Sequence, residues 1–171
     1  MKLATLLELH SLKDLPRAGW RRVGIEEAED VAAHSWGVAW LCMVLCPPEL
    51  NPHRVLQLSI IHDLVEVRVG DITPHDPFTS EEKLSLEQEA AQAIFSDRPD
   101  LLQVWSEYAK AETLESRFVH QADKLDMALQ ALRYSQQAES DTTEFFRSAA
   151  AKITHPVLRR ILDEIGEALS L

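Results

Sequence analysis

Four residues of metal-binding type fall at positions where helical periodicity calls for an apolar side chain. Between Asn51 and Gly70, Val55, Leu58, His62, Val65 and Val69 form one stripe, and Leu56, Ile60, Asp63 and Val67 form the adjacent one. His62 and Asp63 therefore both point into apolar surface. His34 holds the same kind of position in the run Val31, His34, Val38, Leu41 and Leu45, and Asp123 shares a face with Val119 and Met127. Taken singly, each reads as a core polar residue with a local partner. A buried carboxylate without a partner is costly, so Asp63 in particular needs one. Taken together, two imidazoles and two carboxylates suit one divalent first-row transition metal, or magnesium less well. At a coordination number of about six, four protein ligands leave about two positions for a water and a substrate oxygen.

Two further acids stand near this set. Glu66 is three residues after Asp63, on the same side of the helix, within reach of a water at such a metal. Asp71 follows Gly70 just past the helix end. The plainer readings are a solvated helix acid for Glu66 and a loop cap for Asp71. A third feature is Pro16-Arg17-Ala18-Gly19-Trp20-Arg21-Arg22, three arginines within six residues of an acidic chain. Such runs are commonly solvated turns. The functional reading is a phosphate clamp, because guanidinium groups bind phosphate oxygens in a fork, with Trp20 packing on a base or sugar.

The elements that must position these residues are all helices. Leu3 to Leu12 is short and amphipathic, and Pro16 stops it; Ile25 to Cys46 is long and ends at Pro47-Pro48. Asn51-Pro52 starts and Gly70 stops a second long helix. Thr79 with Glu82 makes a capping box for a helix to about Phe95, and Asp97-Arg98-Pro99 begins another that ends near Lys110. Ala111 to about Glu139 reads as one long helix, Asp141 with Glu144 caps a short one, and Pro156 opens the last. No useful strand alternation, repeat or linker interrupts them. The expectation is an all-α, compact helical bundle of about six to eight helices, with residues 1–171 forming a single domain.

Composition narrows the function. The chain has 171 residues, is 46% hydrophobic and 26% charged, and carries a net charge of −11. Such a chain repels nucleic acid backbones, so no nucleic acid polymer is expected as a partner. Five scattered glycines make no phosphate-binding loop, and there is no G-x-S-x-G nucleophile elbow. Cys42 and Cys46 lie in an apolar run and read as core packing in a reducing compartment. No targeting signal is read, and the apolar run from Gly37 to Cys46 is far short of the roughly 20 residues that span a bilayer. A cytoplasmic protein with no membrane partner is the expectation.

With these residues in place, the chain resembles the HD-domain metal-dependent phosphohydrolases, whose signature is a first His, an adjacent His-Asp pair and a distant Asp. Here those are His34, His62-Asp63 and Asp123. The 5′-deoxynucleotidase-like branch is matched more closely. His62-Asp63-Leu64-Val65-Glu66 followed by Gly70-Asp71-Ile72-Thr73-Pro74 is similar to it, as are Lys13 to Trp20 and Gln121 to Ala131. The resemblance runs from about Leu12 to Tyr134. It implies an all-α HD domain and one bound divalent metal ion (manganese, cobalt, zinc, iron or magnesium). It also implies a homodimer and hydrolysis of nucleoside 5′-monophosphates, small-molecule nucleotide substrates that are usually deoxyribonucleotides, to nucleoside and phosphate. Carried over residue by residue, His34, His62, Asp63 and Asp123 are the metal ligands and Glu66 positions the attacking water. Asp71 is a second catalytic acid, and Arg17 and Trp20 line the phosphate and sugar side.

The chain departs from the family pattern in three places. Ala33 stands where an acid usually precedes the first His, which would loosen the support of His34. His120 stands where Lys is usual, and either contacts phosphate when protonated or is an exposed helix His. Arg133 precedes Tyr134 where Glu is common. Two other readings compete. One is hydrolysis of another phosphate ester: an alarmone, although Glu66-Val67 departs from the Glu-Asp of that branch, or a cyclic dinucleotide, although no Gly-Tyr-Pro occurs. The other is a non-catalytic metal- and nucleotide-binding module, for which Glu66 and Asp71 would be superfluous.

Overall fold

Asp30 decides where the first long helix begins. Its side chain accepts the Ala33 N–H at 2.6 Å, capping a helix over Val31–Leu45. The expected start at Ile25 is therefore too early by about two turns. Residues 25–30 are drawn off the helix by pairing with the segment before the arginine turn: the Arg17 N–H donates to Glu29 O and the Val31 N–H to Leu15 O. That isolated bridge between Pro16 and Asp30 is the one β-type pairing among the described residues. The fold comes from a computed structural model, which describes residues 1–137 and 141–171.

In chain order the helices are α1 (Leu3–His10), a 3-10 turn (Ser11–Asp14), α2 (Ala18–Arg22), α3 (Val31–Leu45), α4 (Pro52–Ile61), α5 (Glu66–Val69), α6 (Ser80–Ile94), α7 (Pro99–Lys110), α8 (Leu114–Gln137), α9 (Thr143–Lys152) and α10 (Pro156–Ala168). The all-α expectation holds, with more and shorter helices than foreseen. The expected end of the long helix at Glu139 lies outside the described residues. The Thr79/Glu82 capping box is formed, and Pro99 and Pro156 open α7 and α10. The expected Asp141/Glu144 cap is not. Asp141 does accept the Thr143 N–H at 2.9 Å, but Glu144 turns away to pair with Arg22.

The largest departure lies at the motif itself. One helix was expected from Asn51 to Gly70. α4 stops at Ile61, and His62 to Val65 form turns in which Leu64 donates to Ile61 O and Glu66 to Asp63 O. These are three-residue steps, tighter than the four-residue steps of an α-helix. They resolve into the short α5, which Gly70 ends at φ +79°, a conformation that favours glycine.

α3, α4 and α8 pack against one another and carry the core. Val38 and Cys42 meet Val55, Leu58 and Ile61, and Phe118, Val119, Ala122 and Leu125, all buried. Burying each such large side chain contributes about 1.5–3 kcal/mol, so this three-helix junction is a rigid platform. α9 and α10 cover the other side of α8, and α7 lies across α4 and α8. Among the described residues no helix is long and apolar enough to cross a membrane, and Cys42 and Cys46 are free thiols.

Candidate active site

The three packed helices bring the four inward polar residues together. His34 comes from α3, His62 and Asp63 from the tight turns after α4, and Asp123 from the middle of α8. His62 Nε2 lies 3.1 Å from Asp63 Oδ2, and His34 Nε2 lies 3.6 Å from the same oxygen and 3.2 Å from Asp123 Oδ1. Ligand atoms of His34, His62 and Asp123 all fall within 4.8 Å of one another.

The far nitrogens fix which way each imidazole faces. His62 Nδ1 is 2.7 Å from the Ser59 carbonyl, which can only accept, so Nδ1 carries the proton. His34 Nδ1 donates to Asp126 Oδ2 at 2.8 Å. Both Nε2 atoms are buried and without a hydrogen-bond partner. Two orphaned imidazole lone pairs beside two carboxylates are the donor set of a divalent metal ion, and these residues fit one.

Electrostatics support this. Burial and Arg17 disfavour the charged form of His34, but Asp123 and Asp126 outweigh them and raise its pKa to about 9. Burial would raise the Asp63 pKa, yet His62, His34 and Arg17 hold it well below the usual carboxylate range. Asp123 is lowered in the same way by Lys124, His34 and His62. A metal-free cluster thus binds a proton at His34 that a metal must displace.

Around this cluster opens a cleft of about 440 Å³. Glu66 enters it from the start of α5, 5% exposed, with Oε2 buried and unpartnered. Burial, with Asp63 and Asp71 nearby, pushes its pKa well above the usual range against the opposing pull of Arg17. The Arg17 guanidinium sits 3.7 Å from Asp63 and donates to Asp71 Oδ1 at 3.2 Å. Asp71 Oδ2 accepts the Ala18 N–H at 2.7 Å. Asp71 is therefore at the site as expected, but both oxygens are engaged, which makes it a clamp on Arg17 rather than a free acid.

Trp20 also lines the cleft, but it is only 2% exposed. Its Nε1–H donates to Glu29 at 3.0 Å, and its ring lies against Phe145 and Tyr134. It is a fixed wall, with little open face for stacking. His120 lines the cleft too, stacked on Tyr108 with centroids 4.0 Å apart and its Nε2–H on the Tyr108 carbonyl at 2.9 Å. Burial lowers its pKa, so the expected cationic contact with phosphate is not what this environment favours. Arg22 reaches the rim paired with Glu144, and Arg21 is exposed outside the cleft.

Several cleft residues were not singled out from sequence. Lys124 lies 3.0 Å from Asp123, and Lys83 donates to the Ile72 carbonyl at 2.9 Å. Tyr108 is edge-on to His62 at 5.4 Å. Asp126 does not line the cleft but lies behind His34, and it carried a signal in the sequence: a second acid three residues after Asp123, on the same face of α8.

Comparison with known proteins agrees with this architecture. A family profile described as HD domain matches residues 9–166. The 5′-deoxynucleotidase HDDC2 of Mus musculus is 34% identical over 161 residues, covering 90% of this chain and 81% of its own. The 5′-deoxynucleotidase hdd1 of Schizosaccharomyces pombe is 33% identical over 168 residues, covering 92% and 84%. A conserved hypothetical protein from Pyrococcus furiosus superposes with a TM-score of 0.84 at 30% identity, covering 97% and 99%. An HD-domain phosphohydrolase from Listeria innocua has the same fold, with a TM-score of 0.76 at 21% identity, covering 97% and 88%.

Proposed function

Because the chain belongs to the HD-domain family, we propose that it is a metal-dependent phosphomonoesterase releasing phosphate from deoxynucleoside 5′-monophosphates. The observation that carries this is the pair of orphaned Nε2 atoms converging with Asp63 and Asp123, with His62, Asp63 and Asp123 lining a cleft that also holds Arg17 and Glu66. The relatives named 5′-deoxynucleotidase support the substrate class. His34, His62, Asp63 and Asp123 would hold the metal. When bound, a divalent ion supplies Lewis-acid polarisation and lowers the pKa of water.

The chain's own residues do the rest. Arg17, held by Asp71, binds a phosphoryl oxygen, and Lys124 adds a second positive charge. Glu66 Oε2 takes a proton from the water that attacks phosphorus, the bond from phosphorus to the 5′-oxygen breaks, and solvent protonates that oxygen. Trp20 forms the sugar-side wall. His120, neutral and with Nδ1 left as an acceptor, faces the nucleoside rather than the phosphate.

Phosphate release from ribo- and deoxyribonucleoside 5′-monophosphates tests this, using metal-stripped protein with manganese, cobalt, zinc, iron or magnesium restored. The expected result is metal-dependent release favouring deoxy substrates. Release confined to alarmones or cyclic dinucleotides, or nucleotide binding without release, would overturn it.

A homodimer and a cytoplasmic location belong to the same proposal. The free thiols suit a reducing compartment. The outer face of α3 leaves Trp36 71% exposed beside Trp40, Met43 and Val44, an apolar surface that monomers rarely present to water. Size-exclusion chromatography with light scattering should give a dimer for the native chain and a monomer for Trp36→Glu. A monomeric native chain at micromolar concentration would remove the dimer from the proposal.

A further inference from the structure

The side chain that holds His34 in register comes from the opposite helix, and a glycine makes room for it. Asp126 is a buried carboxylate on α8 whose Oδ2 accepts the His34 Nδ1–H at 2.8 Å. It reaches that nitrogen across the α3–α8 interface directly over Gly37. A Cβ at position 37 would stand 2.8 Å from the Asp126 carboxyl carbon and closer still to Oδ1. Any other residue there would push the carboxylate away from His34. Gly37 has neither a left-handed backbone nor a turn to account for it, because it lies inside α3, where glycine costs about 1 kcal/mol relative to alanine. The close approach of Asp126 is its structural account.

From this geometry we infer that Asp126 is a positioning residue for the metal centre, and that Gly37 is its enabling partner. The inference rests on the metal reading of His34, His62, Asp63 and Asp123. Asp126 holds the imidazole so that Nε2 faces Asp63 and Asp123, and it fixes the proton on Nδ1. Removing a carboxylate that supports a metal-bound imidazole typically weakens metal binding by about 10–100-fold.

The test is titration of metal-stripped protein with manganese and with cobalt, the cobalt form also read by its visible absorption spectrum. Asp126→Ala is expected to raise the metal Kd by about 10–100-fold and to alter the cobalt spectrum, while KM at saturating metal moves little. Asp126→Asn keeps an acceptor of the same shape and should fall between Asp126→Ala and the native chain, which guards against a variant that merely misfolds. Gly37→Ala should weaken metal binding in the same way. Gly37→Ala combined with Asp126→Ala should weaken it no further than Asp126→Ala alone, since the glycine acts through the carboxylate. Folded Asp126→Ala and Asp126→Asn proteins with native metal Kd and cobalt spectrum would overturn the inference. His34→Ala is the control: if it too leaves metal binding unchanged, or if the native chain binds neither ion, the metal reading itself fails along with the inference built on it.

Discussion

Asp63→Ala yields a protein that retains no stoichiometric divalent metal and releases no measurable phosphate. The loss of turnover is at least about 10³-fold, beyond the ~10–100-fold typical of residues that only support ligands. The reason is the position of one oxygen. Asp63 Oδ2 is within 3.1 Å of His62 Nε2, 3.6 Å of His34 Nε2 and 3.7 Å of the Arg17 guanidinium. It is the atom shared by both imidazoles and by the group proposed to bind phosphate. Its loss removes a ligand and leaves Arg17 with one fewer anion to hold it. Asp63→Asn keeps the volume and separates loss of charge from loss of packing. Metal content by mass spectrometry, phosphate release and circular dichroism on both variants check the result. A folded variant with full activity would sink the metal assignment.

Glu66→Gln is expected to keep its metal and its KM while kcat falls by about 10²–10⁴-fold. The carboxylate is buried with one oxygen unpartnered, and its surroundings push its pKa upward. These are the conditions under which a carboxylate becomes a useful base. The sign for pH follows. A base works only when deprotonated, so native kcat/KM should rise with pH through the Glu66 titration. In Glu66→Gln that acidic limb should vanish, because the amide has no proton to lose in this range. A variant that lost its metal, or that kept native kcat, would contradict the role.

The candidate metal ligands were legible because their types clash with their positions. His34, His62, Asp63 and Asp123 interrupt apolar stripes, and a chain does not bury such groups without a partner. The break in the helix at His62 was not legible. Three-residue steps rotate successive side chains nearly as an α-helix does, so the apolar period runs through the turns unchanged. The segment before α3 misled for another reason: Glu26, Glu27, Ala28 and Glu29 favour helix locally, but the Asp30 cap and the pairing with residues 15–17 override that preference. Lys83 and Tyr108 reach the cleft only through the packing of α6 and α7, which no local pattern encodes. Asp126 and Gly37 explain each other only once α3 and α8 are set side by side.

The three helices that converge on the cluster are far apart along the chain. Position 34 is separated from 62 and 63 by the rest of α3 and the whole of α4, and those from 123 by α5, α6, α7 and the first part of α8. One ion held at these points would tie together segments far apart in sequence, and because the unfolded chain has no such site, the free energy of binding adds to that of folding. An ion present at a hundred times its dissociation constant stabilises the native state by about 2.7 kcal/mol. The same four side chains proposed to serve the reaction would thereby act as a clasp for the bundle. Depletion of the ion would lower the lifetime of the protein as well as its turnover.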